Sequence, residues 1–160
     1  MGSLSVKVDS QRPTITGTLS GIPGSNSWYT SPVVFNGSAS DLTSGLASFG
    51  CTLDGVPLSK CNSVQISGQG LHSLVLTAQD NAGLIRYLTQ NTSIDTHPPA
   101  LSVSLAGTRG SNTDWYTDAA LNGSASDDVP GSGLSAIQYK LDEGPWVAFP
   151  STGVLSLPEG

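Results

Sequence analysis

The stretch Asn36-Gly37-Ser38-Ala39-Ser40-Asp41 occurs a second time, unchanged, at residues 122–127. Further matches lie on both sides of it in the same order. Upstream, residues 24–30 (GSNSWYT) return as residues 110–117 (GSNTDWYT). Ordered matches at a spacing of roughly 86–88 residues indicate an internal repeat. The sequence therefore predicts two copies of one domain.

The alignment of the two copies sets the expected domain boundaries. Asp9 aligns with Asp95, so residues 9–94 are predicted to form a complete domain and residues 95–160 a second copy. The second copy reaches only as far as the first one does near Gly70. We therefore expect residues 95–160 to lack the last two strands of the domain and to be less stable than residues 9–94.

Residues 1–8 precede the first complete copy. Within them Leu4, Val6 and Val8 alternate with polar residues, as the apolar face of a strand does. This stretch is predicted to be the last strand of a preceding repeat. The chain as a whole is then expected to be a piece of a longer protein.

Alternating apolar residues between turn signals predict seven short strands in the first copy. Asp54-Gly55 supplies one hairpin turn, and residues 80–83 (DNAG) supply another. The chain direction predicts sheets A-B-E and C′-C-F-G, the order of an immunoglobulin-like or fibronectin type III-like β-sandwich. The predicted fold class is thus all-β, with tandem sandwiches of which the second is truncated. The expected strands are A (13–20), B (32–40), C (47–53), C′ (57–61), E (63–67), F (72–80) and G (84–94).

Four motifs of the chain resemble those of the bacterial Ig-like repeat family. They are NSWYT at 26–30, DLTSGL at 41–46, AQDNAG at 78–83, and YKLD at 139–142 followed by Trp146. The resemblance implies domain arrays on secreted or cell-surface bacterial proteins, where such domains act as stalks, adhesion modules or accessory domains of extracellular enzymes. It also implies neighbouring Ig-like repeats of the same chain as partners.

Composition excludes several classes of function. The formal net charge is −6, and only 11% of residues are charged, with no basic cluster. Binding to nucleic acid or to an anionic membrane surface is therefore not expected, because both need clustered Lys and Arg. The apolar runs are only a few residues long, so we expect no membrane insertion.

The two cysteines are predicted to form a disulfide. Cys51 and Cys61 align with Tyr139 and Phe149 of the second copy, so a covalent pair takes the place of an aromatic pair. We expect the two cysteines to face each other across the C–C′ hairpin. Such a pairing requires a loop of three or five residues at the tip of the hairpin. The alternative is a pair of buried free thiols. A disulfide points to an oxidising compartment, here extracellular or the cell surface.

Calcium is the one metal that the sequence suggests, and no other cofactor is expected. The predicted topology brings the entry of a domain, its BC loop and its FG loop to one pole. Asp9, Asp41 and Asp80 should therefore converge in the first copy, and Asp95, Asp127 and Asp128 in the second. Several loop carboxylates form a suitable calcium site. Ordinary turn chemistry, in which Asp side chains accept bonds from nearby backbone N–H groups, is the competing interpretation.

The remaining residue types offer little chemistry. The sequence contains no nucleophile elbow, phosphate loop, zinc motif or dinucleotide fingerprint, so we expect no enzymatic activity. His72 and His97 are expected to be structural. Trp28 and Trp115 are predicted to plug one end of the core, and Trp146 to pack, although an exposed tryptophan could stack on a sugar.

Three functions remain open on the sequence. The first is a non-catalytic spacer or stalk in a bacterial surface or secreted protein. The second is an adhesion or carbohydrate-binding module with a protein or glycan ligand. The third is an accessory domain of a secreted hydrolase. An exposed cluster containing Trp28 or Trp146 would favour binding.

Overall fold

The computed structural model describes residues 3–112 and 115–159, which form strands, turns and loops only. The chain divides into two compact units, Met1–Thr96 and His97–Gly160. No helix in the described part of the chain is long and apolar enough to cross a membrane.

The first unit contains eight strands in two sheets, and together they form the predicted all-β sandwich. One sheet has three strands in the order β1-β3-β6, and the other has five in the order β2-β8-β7-β4-β5. These correspond to the predicted sheets A-B-E and C′-C-F-G, with β2 added beside β8. The strands are β1 (Thr14–Ser20), β2 (Trp28–Tyr29), β3 (Val33–Ser40), β4 (Leu46–Leu53), β5 (Val56–Pro57), β6 (Val64–Ile66), β7 (Gly70–Asp80) and β8 (Ile85–Ile94).

The short strand β2 was not predicted. Trp28 and Tyr29 lie between the predicted strands A and B, and they pair in parallel with Ser93 and Ile94 at the end of β8. Two consecutive residues with positive φ, Asn26 (51°) and Ser27 (65°), turn the chain toward the other sheet just before β2. The side chain of Trp28 is half-buried there.

Residues 3–13 form no strand, and the side chains of Leu4, Val6 and Val8 are exposed. Their assignment to a preceding repeat therefore stays a prediction.

The core lies between the two sheets, where alternate residues of each strand point inward. Val33 and Phe35 in β3 face Leu74 and Leu76 in β7, and all four are fully buried. Gly37 in β3 is buried against the other sheet. A Cβ atom at this position would lie 2.7 Å from Leu76 Cδ2, so the glycine of the repeated NGSASD motif is needed for the sheets to meet.

A disulfide between Cys51 and Cys61 crosses this core, with the two Cα atoms 5.7 Å apart. Cys51 lies in β4 of the five-stranded sheet. The carbonyl of Cys61 accepts a 2.7 Å hydrogen bond from the N–H of Gly37 in the three-stranded sheet. The bridge therefore ties the five-stranded sheet to a loop that is hydrogen-bonded to the three-stranded sheet. Closing this loop stabilises the folded state by roughly 2–3 kcal/mol in the chain-entropy description.

The predicted pairing is confirmed, but the predicted hairpin geometry is wrong. Leu53 pairs with Val56, so the loop is only Asp54-Gly55. Both residues have positive φ, 50° and 81°, as a two-residue type I′ turn requires. In this register Leu58, not Cys61, lies opposite Cys51, and the Leu58 N–H donates to the Cys51 carbonyl at 3.0 Å. Strand β5 is correspondingly shorter than the predicted strand C′.

The described residues of the second unit form five strands in two sheets. Three of them pair in the order β13-β10-β9, and the other two, β11 and β12, pair with each other. The strands are β9 (Ala100–Arg109), β10 (Tyr116–Ser126), β11 (Gln138–Tyr139), β12 (Val147–Ala148) and β13 (Val154–Ser156). Among its described residues the second unit has no counterpart of β7 or β8.

The register of the strand pair β1–β3 in the first unit is the same as that of the pair β9–β10 in the second. Thr18 pairs with Asn36 between β1 and β3, and Ser104 pairs with Asn122 between β9 and β10. Both partners are displaced by 86 residues (104 − 18 and 122 − 36).

The aromatic counterparts of the two cysteines are also in contact. The rings of Tyr139 and Phe149 meet edge to face, with centroids 5.9 Å apart. An aromatic contact thus occupies the place that the disulfide has in the first unit.

The second unit is much less buried than the first. Every buried hydrophobic residue in the described part of the chain lies in the first unit. Strand β9 is exposed along its whole length, including Leu101, Val103 and Leu105. Since β7 and β8 supply Leu74, Leu76 and Ile94 to the first core, a unit without such strands leaves its inner face open.

Two tryptophans of this open second unit are more exposed than the sequence predicted. Trp115 was predicted to plug the core and Trp146 to pack, but their side chains are 63% and 67% exposed. Trp28, in contrast, lies beside β8, a strand for which the second unit has no described counterpart.

Amide hydrogen exchange should report the difference between the units. We expect the Leu121 amide in β10 to exchange at least about tenfold faster than the Phe35 amide in β3, because only Phe35 lies in a closed core. The two positions are matched in register, so each is the other's control. The measurement is made on the 160-residue chain and read by NMR. Equal protection of the two amides in a monomer would contradict the expectation.

Candidate metal centre

Three carboxylates from separate segments meet at one pole of the first unit. Asp9 precedes β1, Asp41 follows β3, and Asp80 is the last residue of β7. Each offers one carboxylate oxygen, and these oxygens all lie within 4.8 Å of one another. Antiparallel pairing is responsible, since the end of β3 lies beside the start of β1, and the end of β7 lies beside the start of β4.

The carboxylate of Asp41 organises the loop between β3 and β4. Its Oδ1 accepts backbone hydrogen bonds from Thr43 (3.2 Å), Ser44 (2.9 Å) and Gly45 (2.9 Å). This is the turn chemistry expected of Asp, with Gly45 at positive φ (81°) closing the loop. All three bonds use Oδ1, so the second oxygen of Asp41 is not required for the turn.

Asp9 ties the entering chain to the same loop. Its Oδ1 accepts from the Gln11 N–H at 2.9 Å, and its Oδ2 accepts from the Ser44 N–H at 3.1 Å. Hydrogen bonding from Ser44, and then from Gln11, holds the pKa of Asp9 below its usual value. The Ser44 N–H is therefore shared between Asp9 and Asp41.

Asp80 is the buried member of the group, with 1% of its surface exposed. Its Oδ1 accepts from the Leu84 N–H at 2.8 Å, which closes the turn between β7 and β8. Its Oδ2 is also buried and has no hydrogen-bond partner among the described residues. A buried carboxylate oxygen without a donor is costly, so it marks Asp80 as different from an ordinary turn residue.

Asn81 holds the two loops together. Its side-chain amide donates to the Ser44 carbonyl at 2.8 Å, and its N–H donates to the Gly45 carbonyl at 2.9 Å. A surface cleft of about 380 Å³, lined by residues that include Lys7, Asp9, Ser44 and Asn81, opens beside the cluster. The carboxylates are therefore set in a preformed loop frame that solvent can reach.

The second predicted set does not assemble within one unit. Asp95 belongs to the first unit, where it is buried and bonded by the Gln69 side chain at 2.8 Å. Asp127 and Asp128 belong to the second unit. There Asp127 accepts from the Gly133 N–H at 2.7 Å, and Asp128 pairs with His97 at 2.7 Å. Calcium binding by this second set stays a prediction.

The sequence did not predict the hydrogen bonds that frame the cluster. The shared Ser44 N–H and the double contact of Asn81 depend on how two distant loops meet. The recurrence of Ser-Gly after Asp41 and after Asp127 is the sequence signal that could have identified the first loop.

The far pole of the first unit holds an ion pair. His72 Nδ1 lies 2.8 Å from Asp54 Oδ2, and His72 Nε2 lies 2.9 Å from the Gly68 carbonyl oxygen. Both partners only accept hydrogen bonds, so the protonated, charged imidazole can donate to both of them. Burial of His72 opposes this charge, but Asp54 and the Gly68 carbonyl outweigh it and raise the pKa of His72 above 6.5. His72 in turn lowers the pKa of Asp54.

This pair makes stability depend on pH in a defined window. The raised pKa of His72 adds stability that is complete below its unfolded value near 6.5 and is lost as the pH rises through the folded pKa. The lowered pKa of Asp54 adds stability that is complete above 3.8 and is lost as the pH falls through the folded pKa. The contribution of the pair should therefore be greatest near about pH 5.

We expect an NMR titration to place the His72 midpoint above 6.5 in the wild-type chain. In Asp54→Asn the midpoint should fall to 6.5 or lower, since burial remains and the carboxylate is gone. Asn tolerates the positive φ at position 54, so the turn survives as a control. A His72 midpoint unmoved by the substitution would contradict the ion pair.

Comparison of the chain with protein-family models, with curated proteins and with solved structures finds no match.

Proposed function

We propose that this chain is a non-catalytic spacer of a secreted or cell-surface protein, built from tandem sandwich domains. The observation that carries the proposal is the position of the two ends of the first sandwich. Thr14, which begins β1, pairs with Ser40 at the pole of the carboxylate cluster. Ile94, which ends β8, pairs with Gly70 at the start of β7, and so lies at the opposite pole.

A domain entered at one pole and left at the other adds its full length to the chain. Strand β7 has 11 residues and runs between the two poles. At about 3.3 Å per residue it spans roughly 35 Å. Each further copy of such a domain would add a similar length to the protein.

The shared register of β1–β3 and β9–β10 supports a tandem repeat, because one offset of 86 residues relates both strands (104 − 18 and 122 − 36). The aromatic contact of Tyr139 with Phe149, where the first unit has a disulfide, supports the same reading. The disulfide itself indicates an oxidising compartment, which fits an extracellular or cell-surface location.

The spacer proposal is tested by pulling the chain from its two termini in a force spectrometer. We expect a resolved unfolding event for the first unit, because its two sheets pack on a closed core that a disulfide closes on one side. Reduction should lengthen the extension gained in that event by about 30 Å, since the cysteines are 10 residues apart and the bridge holds their Cα atoms at 5.7 Å. Extension of residues 14–94 without a resolved event would contradict a spacer that holds its length under force.

Exposed tryptophans favour a second candidate, a glycan-binding module. Trp115 and Trp146 present most of their side chains to solvent, and indole rings stack on sugars. A spacer predicts no saturable quenching of tryptophan fluorescence by a panel of neutral and acidic polysaccharides. Saturable binding that is lost in Trp146→Ala would replace the spacer with the glycan module. Tyr87→Ala is the matched control, because Tyr87 is an aromatic residue 63% exposed in the first unit.

A further inference from the structure

We propose that Asp9, Asp41 and Asp80 bind one calcium ion, which fastens the entering chain to the two loops at this pole. The site stands on the geometry of the first unit alone. Its use as a joint between successive domains rests on the proposed spacer function.

The first argument is electrostatic. Three carboxylate oxygens within 4.8 Å of one another repel when they are ionised, and their repulsion is reduced by a bound dication. In the described part of the chain none of the three residues forms an ion pair. Lys7 lines the neighbouring cleft but does not pair with them.

The second argument is the lone oxygen of Asp80. Hydrogen bonds from backbone N–H groups account for Asp80 Oδ1, for Asp41 Oδ1 and for both oxygens of Asp9. They do not account for Asp80 Oδ2, which is buried in a 1%-exposed residue and accepts no hydrogen bond from a described residue. A cation supplies the partner that this oxygen lacks.

The donor set selects the kind of cation. All three side chains offer hard oxygen ligands, with no sulfur or imidazole in the group, which disfavours zinc and copper. Two of the ligands come from loops and the third from the end of a strand, and the neighbouring cleft admits water to complete a coordination of six to eight oxygens. Calcium accepts such irregular coordination, whereas magnesium demands a compact octahedron.

At this pole the ion would link three segments whose contacts with one another there are hydrogen bonds. Asp41 extends β3 of one sheet, and Asp80 ends β7 of the other. Asp9 brings in the segment that precedes β1. Calcium therefore clamps the two sheets to each other and holds the entering segment against them.

The test uses the complete chain, freed of metal with a chelator and titrated with calcium chloride or magnesium chloride. We expect saturable NMR shifts at the Ser44, Gly45 and Asn81 amides with calcium, and at least tenfold weaker ones with magnesium. At ten times the dissociation constant the melting temperature of the first unit should rise by roughly 5–10 °C. Tryptic cleavage after Lys7 should slow at least fivefold, because the entering segment is then held.

The Asp80→Asn variant distinguishes two possible roles of Asp80, that of a metal ligand and that of a turn residue. The amide oxygen still accepts from Leu84, so the turn remains, but one negative charge is gone. Without calcium this variant should melt at or above the wild-type temperature, and with calcium it should melt below. Asp9→Asn, at a position outside every strand, should weaken calcium binding at least tenfold with the fold intact. Asp142→Asn, in an exposed turn of the second unit, is the matched control and should respond as wild type does.

Three results would overturn the calcium site. They are the absence of saturable shifts at the loop amides, an equal response to magnesium and calcium, and an Asp80→Asn melting difference that calcium does not change. Saturable loop shifts with unchanged cleavage at Lys7 would refute the clamp on the entering segment. Since the pulling experiment does not depend on metal, failure of the calcium site leaves the spacer proposal standing, and the reverse also holds.

Discussion

Alternation of strand direction in the first unit is the constraint on which the rest of its structure depends. Antiparallel pairing of β1 with β3, and of β7 with both β4 and β8, decides which loops share a pole. It brings Asp9, Asp41 and Asp80 together at one end and sends the chain out at the other. The same pairing lets Phe35 and Leu76 meet over Gly37, so the core and the carboxylate cluster have a common origin.

Features that depend on neighbouring residues could be predicted from the sequence. Val33, Phe35, Leu74 and Leu76 occupy alternate positions of two short apolar stretches, and this spacing predicts that they share the buried faces of strands. Asp54-Gly55 identifies a hairpin. The prediction failed where backbone conformation redirects the chain, as Asn26 and Ser27 do before β2. The Asp-Gly signal predicts the positive φ of Asp54, but no comparable signal marks the two consecutive positive φ values at Asn26 and Ser27.

Some features of the candidate site could also be predicted from the sequence, and others could not. Convergence of Asp9, Asp41 and Asp80 follows from chain direction and turn position, so it could be expected. The Ser44 N–H shared by two carboxylates could not, because it depends on the angle at which two loops approach. Nor could the lone Oδ2 of Asp80, since burial of one oxygen is a property of the packed structure.

Crystals grown with calcium, with anomalous data collected at long wavelength, test the calcium site most directly. One anomalous peak at about 2.3–2.6 Å from oxygens of Asp9, Asp41 and Asp80 is the predicted result. A structure in which the three carboxylates surround no such peak, at calcium concentrations well above 1 mM, would contradict it.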